Sequence, residues 1–270
     1  MSPPADTRLR AHAKLTFELR ITGVRDDGFH LVDAEMASLD LHDLITIQPS
    51  TGGVPTPGIT VSGAYATGVP TDRSNLVARA LERVGRSIDD TALHIEKQIP
   101  HGGGLGGGSA DAAAVLRWGG VGTDPERLTD DLVDAATLGA DISFCLVGGR
   151  ARVTGIGEVI EPLPHVDRRV TLVIPPLSVS TPAAYRAWDE LGMPRADGPN
   201  DLEPAALLVE PRLTWWRDAI ADRCGAAPVL AGSGATWFVE GTRANALADL
   251  VDEGAEIVVA STVPASSAAG

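Results

Sequence analysis

Six glycines occupy the seven positions from Gly102 to Gly108, interrupted only by Leu105. A strand-like segment precedes this run and an Ala-rich, helix-like segment follows it. Glycine lets a ligand approach the main chain closely, and the free N–H groups at the start of a helix attract negative charge. The run therefore predicts a polyphosphate site, at which Ser109 could cap the helix or contact a phosphate or metal ion.

Known phosphate-binding motifs fit this loop poorly. Walker A requires a lysine after its glycines, and none follows here. Gly102, Gly104 and Gly107 satisfy the dinucleotide fingerprint, but a run this rich in glycine meets that spacing almost trivially. A merely flexible loop is the remaining alternative, and the well-patterned strand and helix on either side disfavour it.

Lys14 and Asp141 are isolated charges next to apolar residues. Alone, Lys14 is typical of a snorkelling edge-strand residue and Asp141 of a turn or helix cap. Together they suggest a pair in which the lysine keeps the carboxylate ionised and the carboxylate accepts a proton. Lys14 and Lys97 are the only lysines among 22 basic residues, which hints that both positions need a compact ammonium group.

Three further features have both an ordinary and a functional interpretation. His30 would usually be structural, but Phe29 and His30 together could present a flat ring and a polar tip to a planar base. The segment 232–234, Gly-Ser-Gly, is a second glycine-rich turn, and most such turns are only turns. Trp215 and Trp216 lie on a predicted helix, where packing in a core or an interface is the favoured role.

Hydrophobic periodicity places these residues on alternating elements. The N-terminal part predicts a turn at 25–28 between two strands, a helix capped by Asn75, and Gly139 as the end of a helix. Strands are predicted over 13–24, 31–47, 92–99, 170–174, 228–231, 236–240 and 256–261. Helices are predicted over 75–86, 109–118, 124–138, 181–191, 201–209, 211–223 and 243–252. The pattern indicates an α+β architecture with a boundary near 150–165.

Composition excludes several classes of protein. The 270 residues are 44% hydrophobic and carry a formal net charge of −14, which disfavours binding to nucleic acid or an anionic membrane. Cys145 and Cys224 lie far apart and indicate neither a disulfide framework nor a zinc site. No apolar run is long enough to cross a membrane, and no signal sequence is evident, so a cytoplasmic protein is expected.

Several of these segments, in this order, resemble the GHMP small-molecule kinases. They are 13–15, 27–30, 100–110, 139–141, 200–204 and 232–234. Within that family the sequences Asp-Gly-Phe-His at 27–30 and Asn-Asp-Leu-Glu-Pro at 200–204 resemble the branch that acts on 4-diphosphocytidyl-2-C-methyl-D-erythritol. The resemblance covers roughly residues 11–240.

The resemblance implies a two-domain α+β fold with the active site in the cleft between domains. It implies an N-terminal ATP-binding domain over 1–158 and a C-terminal α+β domain over 159–270. The implied reaction transfers the ATP γ-phosphoryl group, with Mg²⁺, to the 2-hydroxyl of the small-molecule substrate in non-mevalonate isoprenoid precursor biosynthesis. No nucleic acid or membrane partner is implied.

The same resemblance assigns roles to particular residues. Lys14 and Asp141 match the catalytic pair, and Phe29, His30, Thr181, Gly232 and Ser233 match substrate-binding positions. The ATP-binding positions are Asn75, Lys97, Pro100, His101, Gly102, Gly103, Gly104, Leu105, Gly106, Gly107, Gly108, Ser109 and Ala110. The metal is expected to be carried by ATP, with Ser109 as the one candidate protein contact.

Three positions depart from the family pattern. Thr16 stands where Asn is usual, Phe29 where Tyr is common, and Ser143 where Pro often follows the catalytic Asp. Thr16 is the departure that could signal a different acceptor or a slower enzyme, and Ser143 could loosen its turn. Two alternatives therefore stay open: a GHMP kinase acting on a different alcohol, and a non-catalytic ATP-binding protein, which would be expected to lack Lys14 or Asp141.

Overall fold

Two β-sheets organise the chain. The computed structural model describes residues 7–49, 56–100 and 102–265. His101, which is one of the predicted ATP-binding residues, lies outside the described residues, as do positions 1–6, 50–55 and 266–270.

The elements include every strand and helix that the periodicity predicts, together with four that it does not predict. The strands are β1 (Thr7–Val24), β2 (His30–Pro49), β3 (Gly58–Ser62), β4 (Thr91–Glu96), β5 (Arg150–Gly155), β6 (Val159–Leu163), β7 (Arg169–Ile174), β8 (Val229–Leu230), β9 (Trp237–Glu240) and β10 (Glu256–Ser261). The α-helices are α1 (Leu76–Arg83), α2 (Gly107–Trp118), α3 (Leu128–Ala136), α4 (Ala140–Val147), α5 (Thr181–Glu190), α6 (Glu203–Val209) and α7 (Leu213–Cys224). A 3-10 helix spans Ala244–Val251. The four elements that the periodicity does not predict are β3, α4, β5 and β6.

The first sheet has the order β3-β4-β2-β5-β6, and β1 also pairs with β2. β1 and β2 are antiparallel across the predicted turn, where Gly28 has a φ of 85° that glycine adopts without strain. The second sheet has the order β10-β7-β9-β8. The α+β prediction is confirmed. The domain division after residue 158 remains a prediction, although β6 pairs with β5 and extends the first sheet to Leu163.

Buried side chains form three clusters. One lies between the first sheet and its helices, and another lies between the second sheet and α5–α7. The third joins the two halves of the chain: Leu15 and Leu105 pack in it with Leu172 and Phe238. Because this shared cluster includes a residue of the glycine loop, the two sheets hold that loop between them.

Local sequence signals set most helix ends correctly. Asn75 caps α1 by accepting from the N–H of Val77 at 2.9 Å, as predicted. Gly225 ends α7 with a left-handed φ of 64°. α3 begins at Leu128, later than predicted. The Asp124 side chain accepts a hydrogen bond from the Glu126 N–H at 3.0 Å, and the resulting turn precedes the helix.

α4 is the main local error. Taken alone, Asp141 is typical of a turn or cap residue before an apolar segment, but the segment is helical and Asp141 lies in its first turn. An apolar run of this length does not distinguish strand from helix. The hairpin of β5 and β6 was also absent from the predicted elements.

Neither cysteine forms a disulfide: Cys145 is buried and Cys224 is partly exposed, and both are free. Burial raises the pKa of the Cys145 thiol to about 12, so this thiol is unreactive. Within the described ranges, no helix is long and apolar enough to cross a membrane. The same residues contain no group of three or more His, Cys, Asp or Glu side chains placed to hold a metal ion.

Candidate active site

A cleft of about 1040 Å³ lies between the two halves of the chain. Its walls come from β1, the turn before β2, the first turns of α4 and α5, and the loop between β8 and β9. Both predicted catalytic residues and all five predicted substrate-binding residues line it: Lys14, Asp141, Phe29, His30, Thr181, Gly232 and Ser233. Residues that lie more than two hundred positions apart in the sequence therefore meet at one concave surface, as a small-molecule site requires.

Lys14 and Asp141 meet in this cleft. Lys14 Nζ lies 3.4 Å from Asp141 Oδ2, and the lysine is buried whereas the carboxylate is about one-third exposed. The ammonium group also donates to Thr16 Oγ1 at 3.2 Å. Asp141 lies at the N-terminus of α4, where the helix dipole favours a carboxylate. The geometry presents the Asp141 carboxylate to the cleft with the Lys14 ammonium fixed beside it.

The glycine loop is tied directly to Lys14. The Lys14 N–H donates to the Leu105 carbonyl at 3.0 Å. Gly106 has a φ of 69°, and a Cβ there would lie 2.7 Å from Lys14 Cγ. A side chain at this position would therefore displace the lysine. The loop consequently leads into the start of α2, where no described side chain caps the helix and the ammonium of Lys14 lies nearby.

Lys97 has an internal role that the sequence did not indicate. Its Nζ hydrogen bonds to Asp43 and, at 2.7 Å, to Asp111, and all three side chains are buried. Asp43 also accepts from the N–H groups of Gln98 and Ile99, which lead into the glycine loop. The three side chains join β2, the end of β4 and α2 beneath the loop. The predicted contact of Lys97 with ATP stays a prediction.

The charges of this triad shift its pKa values. Burial raises the pKa of Asp111 to about 7, against the attraction of Lys97 and with a contribution from the charge of Asp43. Burial alone would lower the pKa of Lys97, but the two carboxylates outweigh it and raise that pKa. Lys97 therefore stays charged, and Asp111 is the member that can hold a proton near neutral pH.

Asn75 and Ser109 are the other polar ATP-binding predictions. The Asn75 side chain donates to the Pro70 carbonyl at 2.6 Å as well as capping α1, so its polar atoms already have partners. Ser109 lies in the first turn of α2, and its Oγ would be 3.9 Å from a Cβ placed on Gly139. Ser109 therefore faces the segment that carries Asp141. ATP binding by either residue stays a prediction.

His30 is held among aromatic rings. Its Nε2 lies 2.8 Å from Asp189 Oδ1, and its ring centroid is 4.6 Å from that of Tyr185 and 5.6 Å from that of Trp188. Phe29 is 56% exposed at the mouth of the cleft. An exposed ring beside a fixed imidazole can stack against a planar base and hydrogen bond to it.

Tyr185 and Asp189 were missed by the sequence reasoning. Both lie on α5, which Thr181 begins, and they are four residues apart on one helix face. That spacing was the available signal, but it does not reveal which strand the face meets. Burial, with the charge of Asp141, raises the pKa of Tyr185 to about 12, so the phenol stays protonated.

The second glycine turn is anchored by the Asn-Asp motif. The Asn200 side chain donates to the carbonyls of Leu230 at 2.9 Å and Gly232 at 2.6 Å. Ser233 Oγ lies 2.7 Å from Thr181 Oγ1, which joins the turn to α5. The neighbouring Asp201 accepts from Arg20 Nη1 and the Ile21 N–H, both at 3.0 Å. The motif therefore positions the turn against β1.

The side chains of Thr16 and Ser143, which depart from the family pattern, both form hydrogen bonds. Thr16 is buried with its hydroxyl on Lys14, close to Gly232. Ser143 is inside α4 and donates to the Leu132 carbonyl at 2.7 Å. This bond ties α4 to α3, so the expectation of a looser turn at Ser143 was wrong.

The sequence of this chain is similar to a kinase family model and to kinases from several bacteria. A model described as the GHMP kinases N terminal domain matches residues 75–149. The 4-diphosphocytidyl-2-C-methyl-D-erythritol kinase of Paracoccus denitrificans is 35% identical over 254 residues, covering 87% of this chain and 87% of the relative. A protein of the same name from Streptomyces coelicolor is 35% identical over 276 residues, covering 90% of each.

Solved structures agree with this relationship. A 4-(cytidine 5'-diphospho)-2C-methyl-D-erythritol kinase superposes with a TM-score of 0.72 at 27% identity, covering 94% of this chain and 98% of the other. A mevalonate kinase of L. major has a TM-score of 0.66 at 13% identity, covering 97% and 98%, which shows the shared fold alone. Since relatives of this identity align over most of its length, the chain belongs to the 4-diphosphocytidyl-2-C-methyl-D-erythritol kinase family within the GHMP kinases.

Proposed function

We propose that this chain transfers the γ-phosphoryl group of ATP to the 2-hydroxyl of 4-diphosphocytidyl-2-C-methyl-D-erythritol, a step of non-mevalonate isoprenoid precursor biosynthesis. The observation that carries the proposal is the Lys14–Asp141 pair, 3.4 Å apart in the cleft and bonded through the Lys14 main chain to the glycine loop. The relatives named above supply the acceptor.

The glycine loop and the start of α2 hold the phosphates of ATP. Their N–H groups and the helix dipole supply positive potential in a chain whose net charge is −14. Phosphate oxygens and the Ser109 hydroxyl are the kind of ligand that Mg²⁺ prefers. This ion usually keeps several waters and takes only one or two ligands from the protein. Ser109 Oγ is the protein atom that would contact the ion, and the ion would neutralise phosphate charge there.

Asp141 accepts the proton of the acceptor hydroxyl as its oxygen bonds to the γ-phosphorus. The bond from that phosphorus to the bridging β-phosphate oxygen breaks, and ADP leaves with the bond's electron pair. Lys14 holds the Asp141 carboxylate in position and stabilises charge on the transferred group. Thr16 Oγ1 accepts from Lys14 and fixes the direction of the ammonium.

The opposite end of the cleft recognises the cytidine diphosphate group. Phe29 supplies an exposed ring for stacking on the cytosine, and His30 supplies a ring nitrogen for its polar edge. Asp189 accepts from His30 Nε2–H, so the other ring nitrogen, Nδ1, is the one that can contact the base. Thr181, Ser233 and Gly232 border the polyol between the two ends.

Phosphorus NMR of the reaction products tests the proposal. The purified protein is mixed with ATP, Mg²⁺ and the proposed acceptor, and homoserine and mevalonate serve as matched alternative alcohols. A new phosphomonoester signal with the proposed acceptor alone supports the assignment. Turnover of another alcohol in preference would reassign the acceptor, and nucleotide binding without any turnover would leave a non-catalytic ATP-binding protein.

A further inference from the structure

Thr236 lies between the second glycine turn and β9. Its side chain has no solvent exposure, and its main-chain carbonyl accepts from the Ala231 N–H at 2.9 Å. This bond closes the 231–236 segment on itself. The position of the Thr236 side chain is therefore set by the second sheet.

The hydroxyl of Thr236 has no hydrogen-bond partner in the described structure. A buried donor without a partner usually costs about 1–3 kcal/mol, and native proteins tolerate few of them. A hydroxyl in this state next to a ligand site is a candidate for a contact made only when the ligand binds.

The group that faces this hydroxyl is the glycine loop. A Cβ on Gly103 would lie well inside 3.0 Å of Thr236 Oγ1, which no real Cβ contact allows. Gly103 is not among the glycines with a left-handed φ, so its need for glycine comes from this approach and not from its backbone angle. The neighbouring Gly104 is similarly close to the second turn, since a Cβ there would lie 2.6 Å from the Ala231 carbonyl oxygen.

We propose that Thr236 is a positioning residue for the phosphate loop, whose hydroxyl donates to a main-chain carbonyl of Gly102 or Gly103 when the nucleotide is bound. The inference rests on the proposed function, because the loop must bind ATP for the contact to form. When the phosphates of the nucleotide bind to the loop, one loop carbonyl moves within hydrogen-bond distance of the Thr236 hydroxyl. Thr236 thereby joins the loop of the first sheet to the second sheet in the loaded protein.

Thr236→Val and Thr236→Ser separate the hydroxyl from the shape of the side chain. Valine keeps the shape and removes the hydroxyl, so the nucleotide-free protein should be as stable as the wild type or more stable. Its Kd for a non-hydrolysable ATP analogue with Mg²⁺ should rise about 2- to 10-fold, the range expected for one net hydrogen bond. Serine keeps the hydroxyl, so its Kd should stay near the wild-type value although its melting temperature falls.

Calorimetric titration gives the Kd values and thermal unfolding without nucleotide gives the stabilities. If valine does not fold, Thr236→Ala and Thr236→Ser form a second matched pair that differs only in the hydroxyl. Equal Kd values for the wild type and Thr236→Val, or for Thr236→Ser and Thr236→Ala, would overturn the inference. Weaker binding by the protein that lacks the hydroxyl supports it. Because no acceptor is present, the result is independent of which alcohol is phosphorylated, and a wild type that binds nucleotide but phosphorylates nothing contradicts only the proposed function.

Discussion

Replacing Lys97 with methionine removes the cation from the buried triad. Asp43 and Asp111, which are 0% and 3% exposed, are then left facing each other without a counter-charge. Removing one partner of a buried pair typically costs about 3–5 kcal/mol, because the remaining charge stays desolvated. Asp111 can take up a proton, so the loss should lie near 3 kcal/mol in mildly acidic buffer and increase as the pH rises.

Urea unfolding followed by circular dichroism measures this loss. Arg73→Met is the matched control, since Arg73 also contacts two carboxylates, Glu82 and Asp89, but at the surface with its side chain 60% exposed. Exposed pairs contribute about 0–1 kcal/mol, so the control should change little. If Lys97→Met loses no more stability than the control, the triad is not desolvated, and the Lys97 ammonium is free for the nucleotide as the family resemblance implies.

Three further predictions concern the pH dependence of the triad, the Asp201 contacts and the Thr16 hydroxyl. Because burial raises the pKa of Asp111 to about 7, the folded state keeps a proton that the unfolded state releases, and stability falls as pH rises from about 4 to about 7. Asp111→Asn should flatten this fall in urea unfolding measured at several pH values, and an unchanged pH profile would contradict the assignment. Asp201→Ala should lower the free energy of unfolding by about 3 kcal/mol, since it removes the buried carboxylate that accepts from Arg20, the Ile21 N–H and the Ala196 N–H. Thr16→Val should lower kcat about tenfold in steady-state assays by freeing Lys14, whereas Thr16→Ser should not, and equal loss in both would place the effect in packing.

Local signals in the sequence predicted most elements, because they depend on neighbours a few residues apart. The helix cap at Asn75, the helix start at Thr181-Pro182 and the helix end at Gly225 all follow from short-range hydrogen bonding and backbone preference. α4 was missed because its apolar run carries no periodicity that separates strand from helix.

Long-range contacts could not be predicted in this way. Asp43 and Lys97 are 54 positions apart, and nothing in either local sequence shows that β2 and β4 bring them together. Asp189 reaches His30 across 159 positions because α5 packs over the turn before β2. The pairing of Lys14 with Asp141 was expected from family resemblance, and the two residues meet because α2 packs against both β1, which carries Lys14, and α4, which carries Asp141.

Asp141→Asn tests the central claim, that the carboxylate beside Lys14 accepts the proton during phosphoryl transfer. The variant keeps the size of the side chain and removes its basicity. Since general bases contribute about 10²–10⁴-fold, kcat should fall at least 100-fold while the Kd for the ATP analogue stays within about twofold. Asp134→Asn, an exposed aspartate on the adjacent α3, serves as the control and should retain activity. Wild-type turnover by Asp141→Asn would contradict the mechanism.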